Sequence, residues 1–323
     1  MKEEYTVDFE KAKLFPRIVN VNVMAGRCPC RCVHCPVGTV APEDRLKRFG
    51  SKEMSLGLFA RIAEEISLHE GSMMRLHSVG EPLLWNNLPE ALSILREYGT
   101  DSWLFTCAVT RAGTLLSALC ESVSIIEVSV NASDADGYRA TKGIDAFDVV
   151  SENIAFLSGY IRRNGLKTRL LLSRVQTDDE KADERFIAYW RDKDVAADVF
   201  VRSYHNYNNI LDIRGEAGVK EPCLVHWARA SVDCDGAMVC CFNELFKAYT
   251  EDVVLGRIDG DTNIARIWNG EKLAAIRSCD RSGDFSPLAF DIPCKNCRTC
   301  QPIDTKKETS EKQLETISRC REA

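Results

Sequence analysis

The chain has 323 residues, of which 45% are hydrophobic, with a formal net charge of −6 and a pI near 5.6. The length allows about two domains of ordinary size, and the acidic balance argues against a broad nucleic-acid-binding surface, which needs a basic face. No apolar run approaches the roughly 18 residues of a membrane span, and the first residues do not resemble a signal peptide, so we expect a cytoplasmic protein.

Hydrophobic periodicity predicts alternating strands and helices along the first two thirds of the chain. Alternating apolar residues over 17–23 indicate the first strand, and helical spacing over 55–66 indicates the first helix. The further predicted elements are strands over 73–79, 102–106, 125–130, 169–175 and 198–202 and helices over 88–98, 115–121, 147–162 and 184–190. Six strands separated by helices indicate parallel βαβ units with right-handed crossovers.

Near residue 211 the pattern changes to shorter segments with dense cysteine. We therefore predict an α/β domain over 1–210, a small cysteine-rich domain over 211–304 and a charged tail over 305–323 that forms a solvated helix. Fifteen cysteines are present, four of them within residues 28–35 and nine from Cys223 onward. In a reducing compartment this clustering favours two metal centres over disulfides.

The first cysteine group has the spacing C-x3-C-x2-C, formed by Cys28, Cys32 and Cys35. A cubane iron–sulfur cluster normally takes four thiolates, one per iron, so three leave one iron open to a small molecule. The loop follows the first predicted strand, at the end where ligand sites gather in α/β folds. A zinc site, which more often pairs Cys-x2-Cys with a distant second pair, is the alternative. Cys30 lies outside this spacing and is interpreted as a bystander.

Together with the turn Gly80-Glu81-Pro82 after the second strand and Ser129 on the fourth, this loop resembles the radical S-adenosylmethionine (SAM) superfamily. The resemblance covers about residues 15–210 and implies a partial (β/α)6 barrel. In that family the open iron binds the amino and carboxylate groups of SAM. An electron from the cluster then cleaves the sulfonium to a 5′-deoxyadenosyl radical. A reducing partner such as flavodoxin or ferredoxin is implied as well.

The resemblance also assigns SAM-binding residues. It implies that Gly80 and Glu81 bind the SAM amino group and that Ser129 faces the ribose or carboxylate; Asn131 stands where the family usually has aspartate. A plain turn and a strand-end serine are the structural alternatives.

Three further residues are candidates for the same ligand. Ser173 and Arg174 lie at the predicted end of the fifth strand, where the arginine could pair with the SAM carboxylate or be a surface charge. His34 occupies a position where the family commonly has an aromatic residue beside the adenine, or it is an ordinary loop histidine.

The cysteine-rich region resembles the SPASM or shortened twitch domain of radical SAM enzymes, which holds auxiliary iron–sulfur clusters. Asp235-Gly236 predicts a hairpin whose second run ends at Cys240 and Cys241. Adjacent strand residues point to opposite faces, so only one of this pair is expected to face a cluster.

The pattern is most similar to butirosin-type aminocyclitol dehydrogenases, which have one auxiliary [4Fe–4S] cluster. Aligned on Gly236 and on the Cys-Lys-Asn-Cys run, the resemblance implies four ligands, Cys223, Cys241, Cys294 and Cys297. A structural zinc site and a further cluster are the alternatives, the latter drawing on Cys234, Cys240, Cys279 and Cys300.

The resulting hypothesis is a radical SAM oxidoreductase or epimerase acting on a polar small molecule of sugar, aminocyclitol or nucleoside type, as in antibiotic biosynthesis. Cys240 and Cys107 are the candidate thiols for returning a hydrogen atom, although a buried cysteine is more often a small hydrophobe. Peptide maturation is the second hypothesis, and a non-catalytic iron–sulfur or zinc protein is the third. No nucleic-acid or membrane partner is expected. His77, Tyr204, His205 and Asn206 are candidates for substrate contacts.

Overall fold

Aliphatic and β-branched residues dominate the strands of this protein, as expected where a parallel sheet is covered by helices. A computed structural model describes residues 14–195, 197–202, 204, 206–208, 210–211 and 222–297. The strands are Ile18–Ala25 (β1), Met73–Val79 (β2), Ser102–Thr106 (β3), Ile125–Ser129 (β4), Arg169–Val175 (β5), Ala197–Arg202 (β6), Arg229–Val232 (β7), Ala237–Val239 (β8) and Val254–Arg257 (β9). The helices are Pro42–Phe49 (α1), Leu56–Ser67 (α2), Leu88–Tyr98 (α3), Gly113–Ser122 (α4), Ala135–Lys142 (α5), Phe147–Arg163 (α6), Glu180–Asp192 (α7), Leu224–Ala228 (α8), Ile264–Trp268 (α9) and Glu271–Ser282 (α10).

All nine of these strands form one sheet in the order β6-β5-β4-β3-β2-β1-β7-β8-β9. The strands β1 to β6 pair in parallel, so their carboxyl ends share one edge. The predicted open, partial (β/α)6 barrel is confirmed. The cysteine-rich region continues the same sheet, because β7 pairs in parallel with β1, with Ile18 opposite Arg229. The predicted hairpin is present as β7 and β8, with Val232 opposite Met238.

Side chains alternate between the helix-covered face and the inner face of the curved sheet. Val19 and Val21 pack with the helices in the main core. The intervening Asn20 and Asn22 face inward and are buried. We call the space enclosed by the curved sheet the lumen. A second apolar cluster closes it at the amino-terminal end of the strands; the cluster comprises Ile18, Met73, Trp103, Ile125, Leu171 and Phe200. This cluster forms the floor of the lumen.

Two helices that the periodicity did not predict lie next to the cysteine loop. The short helix α1 begins with Pro42 and carries acidic residues in its first turn and basic residues in its last, a favourable arrangement for the helix dipole. Asp134 caps α5, accepting a hydrogen bond of 2.7 Å from the amide of Gly137, and Gly143 ends it at φ +67°. Both helices carry few apolar residues, so neither produces a clear hydrophobic pattern.

The remaining predicted strands and helices of the barrel are present, and their ends agree within a few residues. The helix predicted over 184–190 is longer, Glu180–Asp192, because Asp179 caps it through a 3.1 Å bond from the amide of Ala182. The predicted tail over 305–323, Cys300 and His205 lie outside the described residues. In the described part of the chain, no helix is both long and apolar enough to cross a membrane.

Candidate active site

The loop with Cys28, Cys32 and Cys35 leaves the carboxyl end of β1 and is held by helix α5. The amide of Arg31 donates to the carbonyl of Lys142 at 2.7 Å, and the amide of Val33 donates to the carbonyl of Thr141 at 3.1 Å. Gly143 permits this approach, since a side chain there would meet the Cβ of Arg31 at 2.7 Å. The last turn of α5 is therefore a platform for the loop.

Arg45 on α1 holds the loop from another side. Its guanidinium is buried and donates to the carbonyls of Cys28 at 2.7 Å and Cys30 at 2.9 Å. Burying a charge in this way satisfies backbone oxygens that lie too deep for water. Arg45 is thus a structural determinant of the loop that the sequence did not reveal.

Gly38 packs directly against the middle cysteine of the loop. A methyl group on Gly38 would lie 2.2 Å from the carbonyl oxygen and 2.4 Å from the amide nitrogen of Cys32. We expect Gly38→Ala to displace Cys32 and to lower the iron bound by this loop, with the fold retained. The matched control is Gly57→Ala, since a methyl group on Gly57 would meet nothing beyond its own helix within 4 Å. Iron analysis with circular dichroism tests this, and full iron content in Gly38→Ala would contradict it.

The loop thiols gather with a thiol from the end of β3. Cys30, Cys32 and Cys107 form a buried cluster against which Cys28 and Cys35 pack. Hydrogen bonds from Cys107 and Cys30 lower the pKa of Cys28 to about 5, while burial raises the pKa of Cys35 to about 11. Cys30, expected to be a bystander, is buried among the predicted ligands.

This donor set suits a cubane cluster with one open iron. Among the described residues, no three Cys, His, Asp or Glu side chains meet closely enough to hold a single metal ion. A cubane makes a different demand, because each thiolate binds its own iron. The three thiols on this one backbone-anchored loop can meet that demand. Cys28, Cys32 and Cys35 would hold such a group.

A buried lysine and a buried tyrosine also face these thiols from α5, and the sequence did not single them out. Lys142 is only 2% exposed, and its Nζ donates to Ser129 Oγ at 3.0 Å. Burial alone would lower the pKa of Lys142, but the thiolates of Cys32 and Cys30 raise it. Tyr138, one helical turn earlier, is fully buried with its hydroxyl toward Cys30. Tyr138 and Lys142 are four residues apart and therefore lie on the same face of a mostly polar helix. This spacing is the sequence signal that could have identified them.

The predicted SAM-binding turn packs against the cysteine loop. The amide of Glu81 donates to the carbonyl of Arg27 at 2.8 Å. The Glu81 carboxylate is buried, accepting from Thr106 Oγ1 at 2.5 Å and from the amide of Cys107 at 2.8 Å. Gly80 must be small, since a side chain would lie 2.4 Å from the Arg27 carbonyl oxygen. Gly80 and Glu81 therefore lie beside the first cysteine loop, as the resemblance requires.

The predicted serines lie on adjacent strands beside Asn131. Ser129 Oγ accepts from Asn131 Nδ2 at 2.8 Å, and Ser173 pairs with Ser129 across β4 and β5. Asn131 has φ +66°, a conformation that asparagine tolerates better than most residues, and its Oδ1 accepts from the amide of Val175 at 2.7 Å. Aspartate would suit this backbone conformation equally, so only the bond from Nδ2 to Ser129 depends on the amide.

Arg174 has partners within the protein instead of a free rim position. Its Nε donates to Asp183 Oδ1 at 2.7 Å, and its two terminal nitrogens donate to the carbonyl of Asn131 and to Thr177 Oγ1. Arg174 is only 7% exposed, so it is not a surface charge. A guanidinium has five N–H donors and these bonds use three of them, so pairing with the SAM carboxylate stays a prediction.

His34 lies in the same region. Burial, together with the charges of Lys142 and Arg174, lowers the pKa of His34 to about 3 and keeps it neutral near pH 7.

The second predicted ligand set also comes together. Cys223 precedes α8 and Cys241 follows β8, while Cys294 lies in the 3₁₀ turn Pro293–Asn296 and Cys297 directly follows that turn. Burial and the neighbouring thiolates of Cys294, Cys223 and Cys297 raise the pKa of Cys241 well above its usual range. The four thiols that the resemblance selected are therefore neighbours that could hold an auxiliary cluster.

Cys240 departs from the expected alternation of faces. Its thiol contributes to the raised pKa of Cys294, and the Cys294 thiolate likewise contributes to the raised pKa of Cys241, so Cys240 and Cys241 both lie near Cys294. The strand ends at Val239, so the two-residue alternation no longer applies to Cys240 and Cys241. Cys234 lies elsewhere, with its Sγ 3.8 Å from the carbonyl of Lys52, and Cys279 lies on α10 near Asp284.

A histidine that the sequence did not single out contacts the second set. His226 Nε2 lies 3.4 Å from Cys294 Sγ, and His226 Nδ1 lies 3.3 Å from Asp280 Oδ1. Burial alone would lower the pKa of His226, but the Cys294 thiolate and Asp280 raise it well above its usual range.

The lumen above its apolar floor contains a buried charge network. Glu127 is 0% exposed, and its carboxylate accepts from Arg202 Nε at 2.8 Å and Nη2 at 2.5 Å. Arg75 lies 3.5 Å from the same carboxylate and over the ring of Trp103. Burial alone would raise the pKa of Glu127, but Arg202 and Arg75 lower it.

Aromatic rings connect the lumen with the second cysteine set. His77 on β2 stacks on Phe105 at a centroid distance of 4.8 Å and meets the edge of Phe242 at 4.5 Å. Phe242 follows Cys241 directly in sequence. Of the other candidates for substrate contacts, Asn206 is buried, and burial raises the pKa of Tyr204.

Comparison with known proteins identifies the family to which this chain belongs. The sequence matches the Radical SAM superfamily over residues 22–187, just over half of the chain. The chain belongs to the radical SAM superfamily. Residues 223–301 of this radical SAM protein match SPASM, an iron–sulfur cluster-binding domain. It therefore binds SAM at a [4Fe–4S] cluster and has auxiliary iron–sulfur binding in its SPASM region, which confirms those predictions.

Three solved structures share the fold. BtrN in complex with AdoMet and 2-DOIA is 20% identical, with 84% of this chain and 88% of BtrN covered and a TM-score of 0.54. Streptococcus suis SuiB bound to precursor peptide SuiA is 12% identical, with coverages of 84% and 69% and a TM-score of 0.62. The enzyme anSMEcpe with bound AdoMet and the Cp18Cys peptide is 14% identical, with coverages of 94% and 97% and a TM-score of 0.59. Among curated proteins, none matches this sequence.

Proposed function

We propose that this radical SAM enzyme acts on a carbon of a polar small molecule, a sugar, aminocyclitol or nucleoside intermediate of natural-product biosynthesis, giving dehydrogenation or epimerisation. With SAM and the first cluster bound, the site supplies a 5′-deoxyadenosyl radical that removes a hydrogen atom from the substrate. The observation that carries the proposal is the contact between His77 in the lumen and Phe242 beside Cys241. This contact supports a substrate cavity in the lumen that borders both the N-terminal cysteine loop and the second cysteine set.

The lumen chemistry supports a polar substrate. Arg75, Glu127 and Arg202 line it with hydrogen-bonding groups, while Trp103 and Phe105 give flat apolar walls. Rings carrying hydroxyl or amine groups combine both characters, since they have polar edges and less polar faces. BtrN, whose structure holds AdoMet and 2-DOIA, shares this fold.

Peptide modification is the second candidate function. Its support is the fold similarity to SuiB with its precursor peptide and to anSMEcpe with a Cys-containing peptide. Tight binding of a precursor peptide, with deuterium transfer from that peptide, would favour this candidate over the first.

The proposal also includes the auxiliary cluster, the domain boundary, the reductant and the cellular setting. We infer one auxiliary [4Fe–4S] cluster on Cys223, Cys241, Cys294 and Cys297, and a domain boundary near residue 210. A reductant such as flavodoxin or ferredoxin supplies the electron. None of the thirteen cysteines that the structure describes forms a disulfide, which supports work in a reducing, cytoplasmic setting.

The decisive experiment is deuterium transfer. Candidate substrates deuterated at single carbons are incubated anaerobically with the reconstituted enzyme, SAM and dithionite, and 5′-deoxyadenosine is analysed by mass spectrometry. We expect deuterium in 5′-deoxyadenosine from one position of a polar cyclic substrate. Absence of transfer from every such substrate, with SAM still cleaved, would contradict the proposed substrate class.

The same assay separates dehydrogenation from epimerisation. Epimerisation requires a hydrogen atom returned from a thiol, and Cys107 and Cys240 are the proposed donors. Cys107→Ala or Cys240→Ala should then remove the epimerised product without reducing 5′-deoxyadenosine. Because both thiols contact predicted cluster ligands, iron content is measured in parallel. An unchanged product in both variants would leave dehydrogenation as the reaction.

A further inference from the structure

We propose that His226 donates a hydrogen bond from Nε2 to the Cys294 thiolate, and that Asp280 positions this histidine so that the pair raises the reduction potential of the auxiliary cluster. This inference rests on the proposed assignment of Cys294 as a ligand. His226 itself is outside the four-cysteine set.

The first argument is the geometry around the imidazole. His226 Nε2 lies 3.4 Å from Cys294 Sγ, within the range of a hydrogen bond to sulfur, and His226 is only 2% exposed. On the other side, His226 Nδ1 lies 3.3 Å from Asp280 Oδ1. A ligating thiolate and a carboxylate are both acceptors, so the arrangement requires a proton on each ring nitrogen, and the Nε2–H is the donor toward the thiolate.

The second argument is that Asp280 is itself held in place. Its two carboxylate oxygens accept from the amide of Cys223 at 3.1 and 2.9 Å, and Oδ2 accepts from Trp227 Nε1 at 2.9 Å. Asp280 is 3% exposed. The Asp280 carboxylate thus anchors the backbone of one predicted ligand, Cys223. The same carboxylate faces His226, which contacts a second predicted ligand, Cys294. Such partners commonly orient the groups around a metal centre.

The backbone of the histidine is fixed from the same helix. Arg277, one turn before Asp280 on α10, donates from Nε to the carbonyl of His226 at 2.9 Å and from Nη1 to the carbonyl of Trp268 at 3.1 Å. Helix α10 therefore fixes the backbone of His226 through Arg277 and places Asp280 beside its ring.

The consequence for the cluster follows from charge. Reduction adds an electron to a centre whose sulfurs are already negative, and a donor N–H stabilises that added charge. Hydrogen bonds to the sulfurs are among the factors that set iron–sulfur potentials. A buried donor acts more strongly than an exposed one, because the local dielectric is low. His226 should thus make the auxiliary cluster easier to reduce, as an electron acceptor requires.

The test uses full-length protein with Cys28, Cys32 and Cys35 replaced by alanine, so that only the auxiliary cluster gives a signal. The midpoint potential is measured by redox titration monitored by electron paramagnetic resonance, with iron content determined on each sample. We expect His226→Phe to lower the potential and His226→Gln, which retains an N–H donor, to stay close to the parent. An unchanged potential in His226→Phe at full iron content overturns the proposal, as does an equal shift in both variants, since that indicates packing.

A second pair of variants keeps the test decisive if His226→Phe loses its cluster. Asp280→Asn removes the carboxylate but keeps the shape of the side chain, and we expect the loss of the Nε2–H donor to lower the potential at full iron content. Loss of the carboxylate charge alone would raise the potential, so an unchanged or raised potential in Asp280→Asn would overturn the proposal. Cys294→Ser separates this outcome from a wrong ligand assignment, because an unaltered spectrum and potential in Cys294→Ser would show that Cys294 is not a ligand.

Discussion

Cys32→Ala is expected to reduce 5′-deoxyadenosine formation to background while leaving the auxiliary cluster in place. Cys32 is the central thiol of the loop and is buried against Cys30 and Cys107, so no solvent ligand can easily replace it. With one of three thiolates lost, the first cluster should not assemble, and iron should fall from about eight to about four atoms per chain if each cluster is [4Fe–4S]. Iron analysis and product quantification after anaerobic reconstitution test this.

The matched control is Cys30→Ala. Cys30 lies in the same loop and is equally buried, but it is outside the three-cysteine spacing. We expect this variant to keep about eight irons per chain if Cys28, Cys32 and Cys35 are the ligands. Loss of the first cluster in Cys30→Ala, together with its retention in Cys32→Ala, would mean that the ligand assignment is wrong.

Arg202→Met is expected to destabilise the fold by about 3–5 kcal/mol, because it removes one partner of a buried ion pair. Glu127 has no exposed surface and accepts two hydrogen bonds from Arg202. Arg75, at 3.5 Å, would be its remaining cationic partner among the described contacts. The free energy of unfolding is measured by anaerobic urea denaturation at pH 7.

The pH dependence of this effect has a definite sign. The pKa of Glu127 is lower in the folded chain than its ordinary value, despite burial, because of Arg202 and Arg75. The stabilisation is therefore present above the ordinary pKa and is lost as pH falls through the folded pKa. The difference between Arg202→Met and the parent should shrink toward acid pH.

A surface pair supplies the comparison for this prediction. Arg162 and Asp194 form an ion pair with both side chains largely exposed. Arg162→Met removes the same charge and should cost about 0–1 kcal/mol, as solvent-exposed pairs do. Equal losses in the Arg162 and Arg202 variants would contradict a special role for the buried network.

Much of the barrel could be predicted from the sequence because its strands and larger helices carry their own hydrophobic pattern. The strands Met73–Val79, Ser102–Thr106 and Arg169–Val175 have the predicted bounds. Helices α1 and α5 were not predicted because they lack such a hydrophobic pattern. Their polar sequences are stabilised by a cap, by charges near their ends and by contact with the cysteine loop, none of which changes hydrophobic periodicity.

Some features of the candidate site could also be predicted from the sequence, whereas others could not. The spacings that define Cys28, Cys32 and Cys35 and the Cys294–Cys297 pair are local properties of the chain. Arg174 shows the limit of this reasoning. Its position at the end of β5 was predicted, but its partner Asp183 lies on the following helix, so the sequence could not reveal this buried ion pair.

The sequence by itself determined the radical SAM loop, the alternating barrel elements and the two groups of cysteines, because each depends on spacing within a short segment. Only the tertiary structure decided what surrounds those cysteines. Lys142 beside Ser129, Arg45 on the loop carbonyls and Asp280 behind His226 all join residues that are distant in the chain. Such contacts depend on which elements the sheet order brings together, and here β7 pairs with β1 across about two hundred residues of sequence.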